Sequence, residues 1–245
     1  WKKITHSVLN NKRKVNIAII GKYVELKDAY KSLDEALTHG GIANNLKVNL
    51  VRIESDYLKP KDIKDKLKGA SGILIPGGFG KRGTEGKIAA ITYARNHNIP
   101  FLGICFGMQM AVIEFARNKL NIKKATSSEF GPSKASVVGL MSEWVKNGKK
   151  FKGTDKDLGG TMRLGSYEAK LKKGSLISKI YNSIKIDERH RHRYEVNINF
   201  KDEFEKKGMI FSGLSPDLKL PEIIELENHP WFIGVQFHPE FKSRP

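Results

Sequence analysis

The chain predicts an α/β protein built on a parallel sheet with helices on both faces. Three observations carry this reading. Short apolar runs end in glycine, as buried parallel strands do where they turn into a helix. Between them lie segments with helical spacing, and alternating strands and helices force parallel neighbours. From about Val137 the rhythm changes to short extended pieces, which predicts antiparallel or mixed strands added to the same domain in the C-terminal half.

The elements follow in order. VNIAIIG (15–21) is a first buried strand. KDAYKSLDEALTHGG places Ala29, Leu33, Ala36 and Leu37 on one helical stripe, with Gly40-Gly41 as its C-terminal stop. LKVNLVRI (46–53) is a second strand and 61–67 a short helix. GILIPGGFG (72–80) is a third strand running into glycines, and Thr84–Asn96 reads as the helix after it. IPFLGI (99–104) is a fourth strand, followed by a helix over Phe106–Asn118. The later pieces SVVGLM, GSYEAKL, RYEVNI, MIFSGLS, EIIELE and WFIGVQF read as strands, and 146–158 as an exposed loop.

A chain of 245 residues can bury a substantial core, in one large domain or two small ones. Its single cysteine makes no internal disulfide, and no Cys/His cluster has metal-ligand spacing. A reducing, cytoplasmic setting is expected, with no metal. No segment is long and apolar enough for a membrane span. The net charge of +18 is spread along the chain, RHRHR (189–193) being the one tight cluster, without interleaved aromatics. We read it as a solvated basic surface rather than a nucleic-acid groove, His190 and His192 included. Trp1 rather than Met opens the chain, so 1–14 is expected to be a polar linker from something longer.

Two glycine-rich turns carry the chemistry. Gly78-Phe-Gly-Lys-Arg-Gly83 matches G-x-G-x-x-G in form. It follows the third strand rather than the first, and no acidic residue lies about 20 positions on, as a dinucleotide site expects. Lys81 is followed by Arg82, which also breaks the P-loop pattern. Glycines at a strand's carboxyl end can instead bring backbone N–H groups to a ligand, so Gly77 or Gly78 is a candidate oxyanion donor. A tight turn with no ligand stays open beside it.

The second turn, Gly103-Ile-Cys105-Phe-Gly107, has the G-x-nucleophile-x-G form between a strand and a helix. That setting puts the sulfur at a helix N-terminus, where thiolate is favoured, and makes the Phe106 N–H the second oxyanion donor. Taken alone, Cys105 reads somewhat more readily as a small buried core residue than as a nucleophile. Of the seven histidines, His238 in VQFHPEF ends an apolar strand, with Pro239 holding it extended and Glu240 two residues on. A carboxylate there can hold one imidazole nitrogen and leave the other as a base. His229, before Pro230-Trp231, reads as structural.

With Cys105, PGGFG and HPE assembled, the chain resembles a class I (triad) glutamine amidotransferase domain. GKYVELKDAYKSLDEALTHGG, PGGFGKRGTEGK, GICFGMQ, SSEF, GTMRLG, ERHRHRYEVN and HPWFIGVQFHPEF together resemble the glutaminase domains of CTP synthases, from about residue 15 to 245. GTMRLG with RHRHRYEVN separates these from other triad amidotransferases. Phe106 stands where leucine is common, and 143–157 is lengthened and lysine-rich.

The resemblance implies a flavodoxin-like three-layer α/β/α sandwich and a triad of Cys105 as nucleophile, His238 as base and Glu240 as its orienting carboxylate. It implies that L-glutamine is held by Gly78, by Phe106, Gly107, Met108 and Gln109, by Glu129, and by Arg193. It further implies ammonia delivery to a preceding synthetase domain of the same polypeptide. That domain uses ATP and Mg²⁺ to aminate UTP to CTP, with GTP as allosteric activator, in a homotetramer; no cofactor belongs to the domain read here. A γ-glutamyl peptidase-like cysteine hydrolase and a non-catalytic regulatory module are the alternatives.

Overall fold

The computed structural model describes residues 13–23, 26–140 and 162–245, with Lys2, Ile4, Thr5 and the backbone of 144–146 and 149–151. Most of the expected linker, the greater part of the 146–158 loop, and Gly160 and Thr161 of GTMRLG lie outside the described residues.

Strand β1 (Lys14–Gly21) leads through a 3₁₀ turn to α1 (Lys31–Ala43) and β2 (Lys47–Glu54). A short α2 (Ile63–Lys66) precedes β3 (Gly72–Ile75), α3 (Thr84–Asn96), β4 (Phe101–Ile104) and α4 (Phe106–Asn118). Then come β5 (Thr126–Ser127), β6 (Ser136–Leu140), and the pair β7 (Trp144–Lys146) and β8 (Lys149–Phe151). The remainder is β9 (Arg163–Leu171), α5 (Leu176–Tyr181), β10 (Lys185–His192), β11 (Tyr194–Val196), α6 (Lys201–Glu205), β12 (Met209–Leu214), β13 (Pro221–Leu226) and β14 (Phe232–Val235).

Nine strands form one sheet in the order β10-β9-β12-β13-β14-β4-β3-β1-β2. From β2 to β14 every pairing is parallel, and from β14 to β10 every pairing is antiparallel. Strands β3 and β14 are buried along their whole length, as apolar strands covered on both faces must be. Because side chains alternate across a strand, Ile73 and Ile75 join the core with Ile91, Phe106 and Ala111. Leu74 faces the other way, into a core with Leu33, Ile104, Ile177 and Val235. Helices α3 and α4 cover one face and α1 and α5 the other, which gives three layers. A smaller sheet, β11-β6-β5, completes the described strands together with the β7–β8 hairpin.

Helices α3 and α4 have the bounds that periodicity predicts. Three expectations need correction. Gly40-Gly41 does not stop α1, which runs on to Ala43. Gly41 is there for close approach, since a Cβ on it would lie 2.7 Å from the Leu46 carbonyl oxygen. Strand β14 is parallel to β4 and belongs to the parallel half, although it arises among the antiparallel pieces. Finally, RHRHR is not a solvated segment. Its first four residues end β10, whose burial alternates strictly, with Arg189 and Arg191 exposed and His190 and His192 buried. Strand alternation overrode composition there.

Candidate active site

Cys105 occupies the single residue between β4 and α4. Its backbone has φ 51° and ψ −102°, a region that L-residues avoid at a cost of about 1–3 kcal/mol. Two hydrogen bonds hold it there. The Cys105 N–H donates to the Val235 carbonyl over 2.6 Å, and the Gln109 N–H donates to the Cys105 carbonyl over 3.2 Å. The flanking glycines let the turn close. A Cβ on Gly103 would lie 2.7 Å from the Gly107 carbonyl carbon, and one on Gly107 would lie 2.1 Å from the Ile75 carbonyl oxygen. No side chain fits between these backbones, so G-x-C-x-G is a packing requirement of the elbow as well as a chemical one.

His238 follows β14 and is positioned by its neighbours. Its N–H donates to the Arg189 carbonyl of β10 over 2.8 Å, and its ring stacks on Phe241 at 5.1 Å. The ring lies against Gly77, where a Cβ would stand 2.7 Å from the His238 Cε1. Glu240 meets His238 Nδ1 through Oε1 at 2.8 Å. The route differs from the expected one: Pro239–Lys242 form a 3₁₀ turn, so the carboxylate folds back rather than projecting from an extended strand. Burial alone pulls the imidazole pKa down. The hydrogen bond to the Cys105 sulfur and the Glu240 carboxylate outweigh burial and raise it to about 10. The site therefore holds an imidazolium between a sulfur and a carboxylate at neutral pH. A cleft of about 180 Å³ opens beside it, lined by Tyr30, Pro76, Gly77, His238, Glu240 and Phe241.

The other expected residues fall into two groups. Gly78 comes to the elbow, its Cβ position lying 3.8 Å from Phe106 Cδ1. Glu129 sits at the glycine loop, where the Gly80 N–H donates to its Oε1 over 2.6 Å. Burial pushes the Glu129 pKa up, against the Gly80 N–H and the Lys22 ammonium. Arg193 is half-buried in the single-residue step between β10 and β11. Gln109 Nε2 donates to the Tyr194 carbonyl over 2.9 Å, so the elbow helix is joined to the Arg193 segment. Phe106 and Met108, in contrast, put their side chains fully into the core.

Several buried polar residues beside the site escape sequence reasoning. Gln236, fully buried, places its amide against the sulfur, Nε2 to Sγ at 3.6 Å. Its signal was a polar residue at the inner end of an apolar strand. Arg163 Nη1 pairs with Glu222 at 2.7 Å and Glu195 at 3.2 Å, all three buried. His190 Nε2 lies 3.6 Å from Glu222 Oε2, and His190 Nδ1 meets His192 Nε2 at 2.9 Å. Burial, then the charge of Arg163, lowers His190 to about 2 and His192 to about 3, so both are neutral. Arg163 comes from GTMRLG and Glu195 from RHRHRYEVN, so these two motifs meet in space.

The model of the family "Glutamine amidotransferase class-I" matches residues 25–245. The chain belongs to the class-I glutamine amidotransferases. Within that family it is 78% identical over its whole length to a CTP synthase of Pelagibacter ubique and 57% identical to one of Zymomonas mobilis, covering 46% of each. The chain thus spans about half the length of the curated relatives it matches. A solved structure of the Trypanosoma brucei CTP synthase glutaminase domain, with bound acivicin, superimposes with a TM-score of 0.82 at 36% identity. That match covers 93% of this chain and 86% of the other. As an amidotransferase domain the chain therefore stands with the glutaminase domains of CTP synthases, and it has their flavodoxin-like fold.

Proposed function

We propose that the chain hydrolyses the side-chain amide of L-glutamine through a cysteinyl thioester. The observation that carries this is the sequence of contacts from the strained Cys105, through His238, to Glu240. The Cys105 thiolate attacks the amide carbon, and the oxyanion forms against N–H groups of Gly77 or Gly78 and Phe106. The imidazolium of His238 gives its proton to the nitrogen as the C–N bond breaks, releasing ammonia and leaving the γ-glutamyl thioester. Neutral His238 then takes a proton from water, whose oxygen attacks the thioester. The C–S bond breaks, glutamate leaves and the thiolate is restored. Glu240 holds the ring orientation throughout. Glu129 suits the substrate α-amino group and Arg193 its α-carboxylate, with Gly78 and Phe106 to Gln109 forming the remaining wall.

In the longer polypeptide that the relatives represent, the ammonia would pass to a synthetase domain that aminates UTP to CTP with ATP and Mg²⁺. GTP would activate that reaction, residues 1–14 would link the two domains, and the whole would be a cytoplasmic homotetramer. The likeness to CTP synthases along the full chain supports this reading.

The test is covalent labelling. Incubation with acivicin or a glutamine-based chloroketone, followed by peptide mass spectrometry, is expected to modify Cys105 alone, and Cys105→Ser is expected to abolish both labelling and ammonia release. Labelling elsewhere, or none, refutes the proposal. Faster turnover of γ-glutamyl peptides than of glutamine would favour a peptidase instead.

A further inference from the structure

Gln236 touches the nucleophile, and the mechanism above does not use it. Its side chain is fully buried one residue beyond β14, and its own N–H donates to the Glu222 carbonyl over 2.8 Å. The amide Nε2 lies 3.6 Å from the Cys105 sulfur, and Oε1 accepts from Gln109 Nε2 over 3.2 Å. An amide can turn over and exchange its nitrogen and oxygen, so the orientation needs a cause. The Tyr194 carbonyl supplies it. A carbonyl only accepts, so the Gln109 NH₂ must face Tyr194 at 2.9 Å. The same NH₂ meets Gln236, whose facing atom must then be its oxygen. Its nitrogen is left to face the sulfur. Two buried glutamines thus transmit the polarity of one backbone carbonyl to the reacting atom.

We propose that Gln236 is a fixed hydrogen-bond donor to the Cys105 sulfur, stabilising the thiolate through a contact separate from the one that transfers the proton. A donor to the charged form of a group favours that form. It acts beside His238, and its donor is a neutral amide that does not titrate. The titratable groups around the sulfur are His238 and, through it, Glu240. His190 and His192, on the neighbouring β10, are neutral, and Arg163 is paired with Glu195 and Glu222. The inference deepens the glutaminase reading and rests on it, and it concerns a contact that can be measured without glutamine.

The experiment follows the rate of Cys105 alkylation by iodoacetamide against pH in the full chain. Gln236→Met keeps the volume and removes the donor. It is expected to raise the midpoint by about one pH unit, so that alkylation on the acid side slows about tenfold. On the alkaline side, where both chains are fully thiolate, the rates should agree within about twofold. Gln236→Glu keeps the shape but turns a carboxylate toward the sulfur, and its midpoint should rise further. A merely structural glutamine would change the melting temperature and leave the midpoint where it was; that result overturns the proposal. Should both variants fail to fold, the unsubstituted chain decides. The side-chain amide proton signals of Gln236 should shift as the sulfur titrates and when it is alkylated, and signals that stay in place refute the contact. A chain that fails to label with the glutamine analogue, yet shows the iodoacetamide shift, would remove the glutaminase reading and leave the donor intact.

Discussion

At Cys105 a strained backbone and a reactive side chain coincide. The residue sits at φ 51°, ψ −102°, and the hydrogen bonds to Val235 and from Gln109 keep it there. Glycine takes positive φ without penalty, whereas at an ordinary helical position alanine is the more stable by about 1 kcal/mol. The order should invert here. Cys105→Gly is expected to be more stable than Cys105→Ala by about 1 kcal/mol, read from paired urea denaturation curves. If alanine proves the more stable, the backbone at this position carries no strain. Both variants are expected to lack glutaminase activity, so the comparison isolates conformation from chemistry.

Strand β10 shows how an element reassigns the meaning of its residues. A basic pentapeptide reads as solvated surface until it is placed on an edge strand whose alternate positions face inward. The Tyr194 carbonyl accepts from His192 Nδ1 at 3.2 Å, which leaves Nε2 of His192 to accept from His190. Their depressed pKa values set the direction of a pH effect. Both histidines are neutral in the fold to about 2 and 3, whereas unfolded they take up protons near pH 6.5. Their contribution is therefore complete above about pH 6.5 and is lost as pH falls below it, at about 1.4 kcal/mol per pH unit for each ring. Burial raises Glu195 and Glu222, which therefore act in the opposite sense: their share grows as pH falls. His190→Phe should flatten the fall in unfolding free energy between about pH 6 and pH 5 by about 1.4 kcal/mol, the share of one ring. An unchanged slope would show that His190 is not held neutral.

The whole molecule is divided at β14, where a parallel half meets an antiparallel one. The nucleophile comes from the first half and His238 from the far end of the chain, 133 residues on as 238 minus 105. The buried cluster of Arg163, Glu195 and Glu222 draws on β9, β11 and β13, and so ties the small sheet to the large one. Arg163→Met would leave two carboxylates buried without their cation. It should cost about 3–5 kcal/mol in urea unfolding at pH 7 and recover part of that as pH falls and the carboxylates protonate. A loss below about 1 kcal/mol would mean that the sheets hold together without the pair.

Much of this protein was legible along the chain. Apolar runs closing in glycine named the parallel strands, because a strand buried on both faces has no room for polar side chains. The bounds of α3 and α4 followed from periodicity, and G-x-C-x-G and HPE marked the elbow and the imidazole because each motif is local. What stayed hidden depends on neighbours distant in sequence. Gly41 reads as a helix stop until β2 is seen to pack against it, and His190 and His192 read as charged until a second layer removes their water. Gln236 is one polar letter in an apolar strand. It gains a role only where Tyr194, Gln109 and Cys105, from three separate segments, converge on its amide. Local pattern reports what a residue can do, and burial against partners elsewhere in the chain sets which charge, tautomer and orientation it holds.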